Sequence, residues 1–82
     1  LSKSKNACKK DLVAIEQKID LLEARKAQYE ATLCDPQVYK EPVKIKNINL
    51  ELKNITAELE SSYNVWTELH ARLEHLNNSR PE

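Results

Sequence analysis

From residue 8 onward the apolar positions advance in alternating steps of four and three: Cys8, Leu12, Ile15, Ile19 and Leu22, then Lys26, Tyr29 and Leu33. That spacing is a heptad seam, the narrow stripe by which one helix packs on another. After a break, a second series repeats the pattern through Ile45, Ile48, Leu52, Ile55, Leu59, Ser62, Trp66, Leu69, Leu73 and Leu76. Each seam has one polar interruption with a structural reason. The stem of Lys26 can snorkel, and Ser62 makes room for a large neighbour.

Between the seams lies Cys34-Asp35-Pro36-Gln37-Val38-Tyr39-Lys40-Glu41-Pro42, where two prolines fall close together. Pro36 stops the first helix, because the residue before a proline is pushed out of the helical region. Asp35 is placed to cap a short turn that begins at Pro36, and Pro42 suits the first turn of a second helix. A connection this short makes the helices antiparallel neighbours.

The pattern therefore predicts an all-α fold, a two-helix antiparallel coiled-coil hairpin with a short helical turn at the tip between Asp35 and Tyr39. The hairpin covers 8–76, with one helix over about 8–34, a tip over 35–42 and a second helix over about 43–77. Residues 1–7 read as a linker and 78–82 as a frayed tail, behind the stop signal Asn77-Asn78-Ser79-Arg80-Pro81. One register pairs residues whose numbers sum to 81. It sets Leu33 opposite Ile48, Tyr29 opposite Leu52, Leu22 opposite Leu59, Ile19 opposite Ser62, Ile15 opposite Trp66 and Leu12 opposite Leu69, and leaves Val38 and Tyr39 to close the tip. A register seven lower, with sums of 74, is the alternative. Trp66 is expected to be the largest single anchor of the seam, buried against the first helix near Ile15.

Composition agrees with a seam rather than a broad core. The 82 residues are 40% apolar and 32% charged, and they include no glycine, phenylalanine or methionine. Most are good helix formers, and the turns that a sheet needs cannot be made from them. Thirteen basic and thirteen acidic residues cancel, which removes the whole-chain argument for a nucleic-acid partner and leaves only local patches to supply one. No secretory signal or membrane-spanning apolar run is present, so a soluble, cytoplasmic chain is expected. Leu1 in place of Met and the linker-like start suggest a domain excised from a longer protein. Cys8 and Cys34 lie about 39 Å apart along one predicted helix and cannot bond to each other, which favours a reducing compartment. Without a signal peptide, the glycosylation patterns at Asn54 and Asn77 carry no weight.

Catalytic constellations are missing. His70 and His75 are the only imidazoles. Five residues apart on a helix, they diverge by about 140°, which excludes a paired-histidine metal site. His70 and Glu74 have helical spacing, but as a solvated pair. No phosphate-binding loop can be built without glycine, and carboxylates on exposed faces have no pocket to raise their pKa. The expectation is a non-enzymatic domain with no metal and no cofactor of its own.

The charges are unevenly placed. Lys3, Lys5, Lys9 and Lys10 carry the first ten residues without an acid, and Lys40, Lys44, Lys46 and Lys53 surround the tip against Glu41 and Glu51. The middle of both arms is acidic. Lys44 and Lys46 fall at the start of the second helix, where the backbone dipole disfavours cations by about 0.3 to 1 kcal/mol each. Two readings follow for these lysines: a solvated face, or a surface that contacts phosphates. Tyr39 has two readings as well, closing the tip or stacking on a base.

Two stretches carry a family resemblance. Leu33-Cys34-Asp35-Pro36-Gln37-Val38-Tyr39-Lys40-Glu41-Pro42 resembles the L-A-D-P-x-L-Y-x-D-P signature of the C-terminal coiled-coil domain of ABC-F ATPases. Ser62-Tyr63-Asn64-Val65-Trp66-Thr67-Glu68-Leu69 is similar to that domain's A-Y-x-R-W-E-E-L stretch, with Val65 where the family usually carries arginine. The resemblance covers about 8–76 and includes the spacing between the two signatures. It implies structural roles for Asp35, Pro36, Tyr39, Pro42, Tyr63 and Trp66, and makes 1–7 the linker from a preceding ATP-binding cassette. It further implies a parent ATPase that uses ATP and Mg on its own cassettes, with no membrane domain. Many members are translation factors on the ribosome, and in the Uup-like branch this coiled coil is associated with DNA binding and with support of the parent's ATPase.

Two functions are expected from these observations. The first is a non-catalytic arm, monomeric, that contacts DNA or ribosomal RNA through the lysines of its tip and base. The alternative is a spacer or protein-interaction hairpin that packs on the parent's cassettes or another protein.

Overall fold

Both predicted seams become helices, and each helix begins before its seam does. The structure, a computed structural model, describes residues 2–78, with side chains from Lys5 onward. Helix α1 (Ser2–Leu33) and helix α2 (Pro42–Asn78) are joined by a 3-10 turn at Val38–Lys40. They form an antiparallel rod of 65 × 15 × 14 Å. The expected linker is helical from Ser2 onward, six residues before the anticipated helix start, because it holds no glycine or proline to interrupt the helix. Leu1 and the 79–82 part of the expected tail lie outside the described residues.

Every seam position is buried or half-buried, including the two polar ones, Lys26 and Ser62. Ile19, Leu22, Ile55 and Leu59 form one core cluster, and Cys8, Leu12 and Leu69 form a second toward the open end. Ile15 and Trp66 pack against both clusters and join them. Leu22 shares a cluster with Leu59, and Leu12 with Leu69, as the register of sums near 81 sets them. Ile19 also shares one with Ile55, a sum of 74, and it is the cross-helix bonds of Trp66 and Tyr63, with sums of 82 and 86, that select the higher register. In the lower register Leu12 would lie level with Ser62 instead.

Two cross-helix hydrogen bonds flank the seam and hold that register. The indole Nε1 of Trp66 donates to Glu16 Oε2 at 3.0 Å, and the Tyr63 hydroxyl donates to Glu23 Oε2 at 2.8 Å. The two acceptors are one heptad apart on α1, so both reach the same flank of α2. Nearer the open end, the buried Cys8 Sγ lies 4.0 Å from the carbonyl oxygen of Leu69, a weak thiol contact.

The chain reverses without a left-handed residue: no residue has a positive φ among those described. Helix α1 tightens at its end, with Cys34 N bonding to Ala31 O and Asp35 N to Thr32 O, each three residues back. Asp35 Oδ1 then accepts from Gln37 N at 3.0 Å, and Asp35 O accepts from Val38 N at 3.0 Å. Glu41, before Pro42, swings to φ −125 and ψ 84, and its carbonyl receives the Ile45 N–H of α2. Val38 closes the tip, with 3% of its surface exposed. Tyr39, expected to close the tip beside it, is 68% exposed. Successive residues of a 3-10 turn point about 120° apart, so one of the two must face outward.

Two predictions follow from this packing. Trp66→Ala removes one of the two side chains that join the clusters and leaves Glu16 without its donor; a loss of about 3 kcal/mol is expected, to be measured by urea unfolding followed by circular dichroism. An unfolding midpoint equal to the native one would remove Trp66 as the main anchor. The second concerns pH. The Tyr63 phenol is raised above its ordinary 10.0, first by the hydrogen bond to Glu23, then by lost hydration and by the negative charges of Glu23 and Asp20. A raised folded value means that the stabilisation is complete below pH 10 and disappears as pH climbs through the higher folded value. Above pH 10, the thermal midpoint of the native protein should therefore fall more steeply than that of Tyr63→Phe, and parallel slopes would show that Tyr63 is uncoupled from folding.

Candidate functional surface at the tip

The tip is built from the end of the 3-10 turn and the first turns of α2, and it carries the first group of sequence-predicted lysines. Lys40 ends the 3-10 turn, Lys44 and Lys46 lie in the first turns of α2, and Lys53 follows two turns later; all four side chains are exposed. Lys46 and Lys53 are seven residues apart and so share a face, while Lys44 is turned away from Lys46 by about 160°. Among the described residues, none of the four side chains has a hydrogen bond or an ion pair. Helix α2 has no acidic residue in its first turn. The unpaired N–H groups there and the Lys44 ammonium thus carry the same sign, with the exposed Glu41 carboxylate just before the helix opposing them.

The second group of lysines is not brought near the first. Lys9 and Lys10 are exposed at the open end, Lys5 is half-buried there, and the side chain of Lys3 lies outside the described residues. About 35 Å of α1 separates Lys10 from Leu33 at the tip end of that helix. Exposed Glu16, Asp20 and Glu23 on α1 and Glu58 and Glu60 on α2 occupy the space between. Lys18 and Arg25 are exposed in the same span, and exposed Asp35, Glu41 and Glu51 share the tip with its lysines, so the two lysine groups are separate and each is interleaved with acids.

The residues expected to have structural roles sit at the corners of the fold. Asp35, Pro36 and Pro42 shape the reversal, while Tyr63 and Trp66 carry the cross-helix bonds. Glu16 and Glu23, their acceptors, were not singled out from the sequence, although in the register of sums near 81 Glu16 falls beside the Ile15 and Trp66 layer. His70, expected only as part of a solvated pair, places its ring edge-on to Trp66 at 4.3 Å and 65°. Val43 and Leu50, seven residues apart on the outer face of α2, are 72% and 52% exposed, and the heptad pattern, which marks only the seam, did not point to them.

Among the described residues, no group of three or more His, Cys, Asp or Glu side chains could hold a metal ion, and no helix is long and apolar enough to cross a membrane. An open groove lined by Ala7, Cys8, Asp11, Arg72 and Leu76 lies between the helices at the open end. The one thiol in it is already directed at Leu69 O.

No curated protein and no solved structure matches the chain. A family model does match, that of the ABC transporter C-terminal domain, over residues 3–71. The match takes in most of α1, the whole tip and α2 as far as the two aromatic bolts and the Leu69 layer. The hairpin, an accessory arm, belongs to the ABC transporter C-terminal domain family.

Proposed function

We propose that the hairpin is a non-catalytic arm of an ABC-F ATPase and that its tip contacts the phosphates of DNA or ribosomal RNA through Lys40, Lys44, Lys46 and Lys53. The observation that carries this reading is the placement of these lysines. They are exposed, and Lys44 stands in the first turn of α2 against the backbone dipole, where an acid would be more stable. The helix gains nothing locally from a cation there, whereas a phosphate meets an ammonium and free N–H groups together. The resemblance of the tip and of the Tyr63 to Trp66 stretch to ABC-F proteins supplies the rest of the reading: a monomeric, cytoplasmic arm, a parent whose cassettes use ATP and Mg, and the Uup-like branch as the source of the DNA alternative. Lys5, Lys9 and Lys10 at the open end, with Lys3, form a second and more distant contact in this reading.

A second reading is favoured by Val43 and Leu50. Their shared exposure on the outer face of α2 suits a protein surface that would cover them, the parent's cassettes or another partner.

The test replaces Lys40, Lys44 and Lys46 together with glutamate. The hairpin should stay folded by circular dichroism and should lose its binding to duplex DNA and structured RNA. Binding by the native chain should be micromolar or weaker, and should fall with salt by a slope of roughly 0.7 to 0.9 per phosphate neutralised. Unchanged affinity in the triple variant would move the contact to the open end. No binding by the native chain at low salt would leave the protein-interaction reading.

A further inference from the structure

The sequence leaves Tyr39 with two roles, and the fold removes one of them. Val38 fills the tip at 3% exposure, so Tyr39, 68% exposed on the same turn, is not needed to close it. An exposed tyrosine ring presents an apolar face that costs free energy in water unless something covers it. The turn that carries it is held in place by the Gln37, Val38, Lys40 and Glu41 N–H bonds and by Val38 beneath, so the ring stands on a fixed support. Lys40 follows it directly, and Lys44 lies one turn into α2.

We infer that Tyr39 is a stacking platform for an unpaired base, with Lys40 and Lys44 holding the phosphates on either side of that nucleotide, so that the tip prefers single-stranded or looped nucleic acid to a continuous duplex. The inference rests on the phosphate-contacting reading above and adds the class of ligand to it. A duplex presents phosphates to the lysines and leaves the ring facing its charged backbone. An unpaired base presents a flat π-face to the ring and its own phosphate to the ammonium groups. Stacking of this kind tolerates any base, because every base has such a face.

The experiment compares the 82-residue chain with Tyr39→Ala, Tyr39→Phe and the Lys40→Glu, Lys44→Glu, Lys46→Glu triple variant. Each is titrated at low salt with a single-stranded oligonucleotide containing one 2-aminopurine and with the matching duplex, and circular dichroism confirms that each stays folded. The native chain should bind the single strand more tightly than the duplex and should quench the 2-aminopurine fluorescence. Tyr39→Ala should weaken single-strand binding at least about fivefold, abolish the quenching and leave duplex binding unchanged, while Tyr39→Phe should behave as native. If Tyr39→Ala binds and quenches like the native chain while the triple variant loses binding, stacking is wrong and the phosphate reading stands. If the native chain binds neither probe, the phosphate reading fails and stacking fails with it.

Discussion

Each helix of the hairpin has one neighbour, and the seam between them is the interface that all other features depend on. In a globular domain a helix shares its apolar face among several partners, and a local fault is absorbed by the rest. Among the described residues α1 packs only on α2 and on the tip turn, along a stripe that leaves no large side chain completely buried. A shift of one heptad would separate Leu12 from Leu69 and Leu22 from Leu59, and would move Glu16 and Glu23 out of reach of Trp66 and Tyr63. The heptad pattern alone tolerates such a shift, because every heptad resembles the next. The aromatic donors and their two carboxylates do not tolerate it. The length of the reversal between Pro36 and Pro42 does not tolerate it either.

This division explains how much of the molecule the sequence discloses. A 3.5-residue apolar period identifies both helices and the face each buries, and the paired prolines identify the reversal. Lys26 and Ser62 look like flaws in the pattern, yet both sit in the seam, because a long stem and a small side chain fit where the period puts them. The helix beginning at Ser2 is less legible, since a run of lysines and serines has neither an apolar period nor a breaker. The bonds from Trp66 and Tyr63 are hidden for a different reason. Periodicity says which face a residue occupies and not which flank residue across the seam will meet it. Tyr39 is harder still, because its outward position depends on the handedness and pitch of one short turn.

Function is less legible than fold for a related reason. The family match over residues 3–71 takes in most of the seam, and a seam is a packing device that any arm of this kind needs. What distinguishes one arm from another is the outer surface, which carries most of the described charged side chains and on which packing places few demands. A chain with no net charge still has a field. Lysines cluster at the open end and at the tip, where Asp35, Glu41 and Glu51 stand among them, and the middle mixes carboxylates with Lys18 and Arg25.

The reversal without glycine also bears on mechanics. A turn that needs glycine can usually bend there, because glycine passes readily between regions of φ and ψ closed to other residues. This tip has two prolines, a capped Asp35 and a buried Val38 in place of glycine, and no residue in a left-handed conformation. With the seam continuous from Cys8 to Leu33, neither the shaft nor its end contains a joint. A body 65 Å long and 15 Å wide that lacks a joint behaves as a lever. A small rotation imposed at the open end, where Cys8 and Leu69 meet, is delivered at Tyr39 and Lys40 as a translation magnified by the length of the rod.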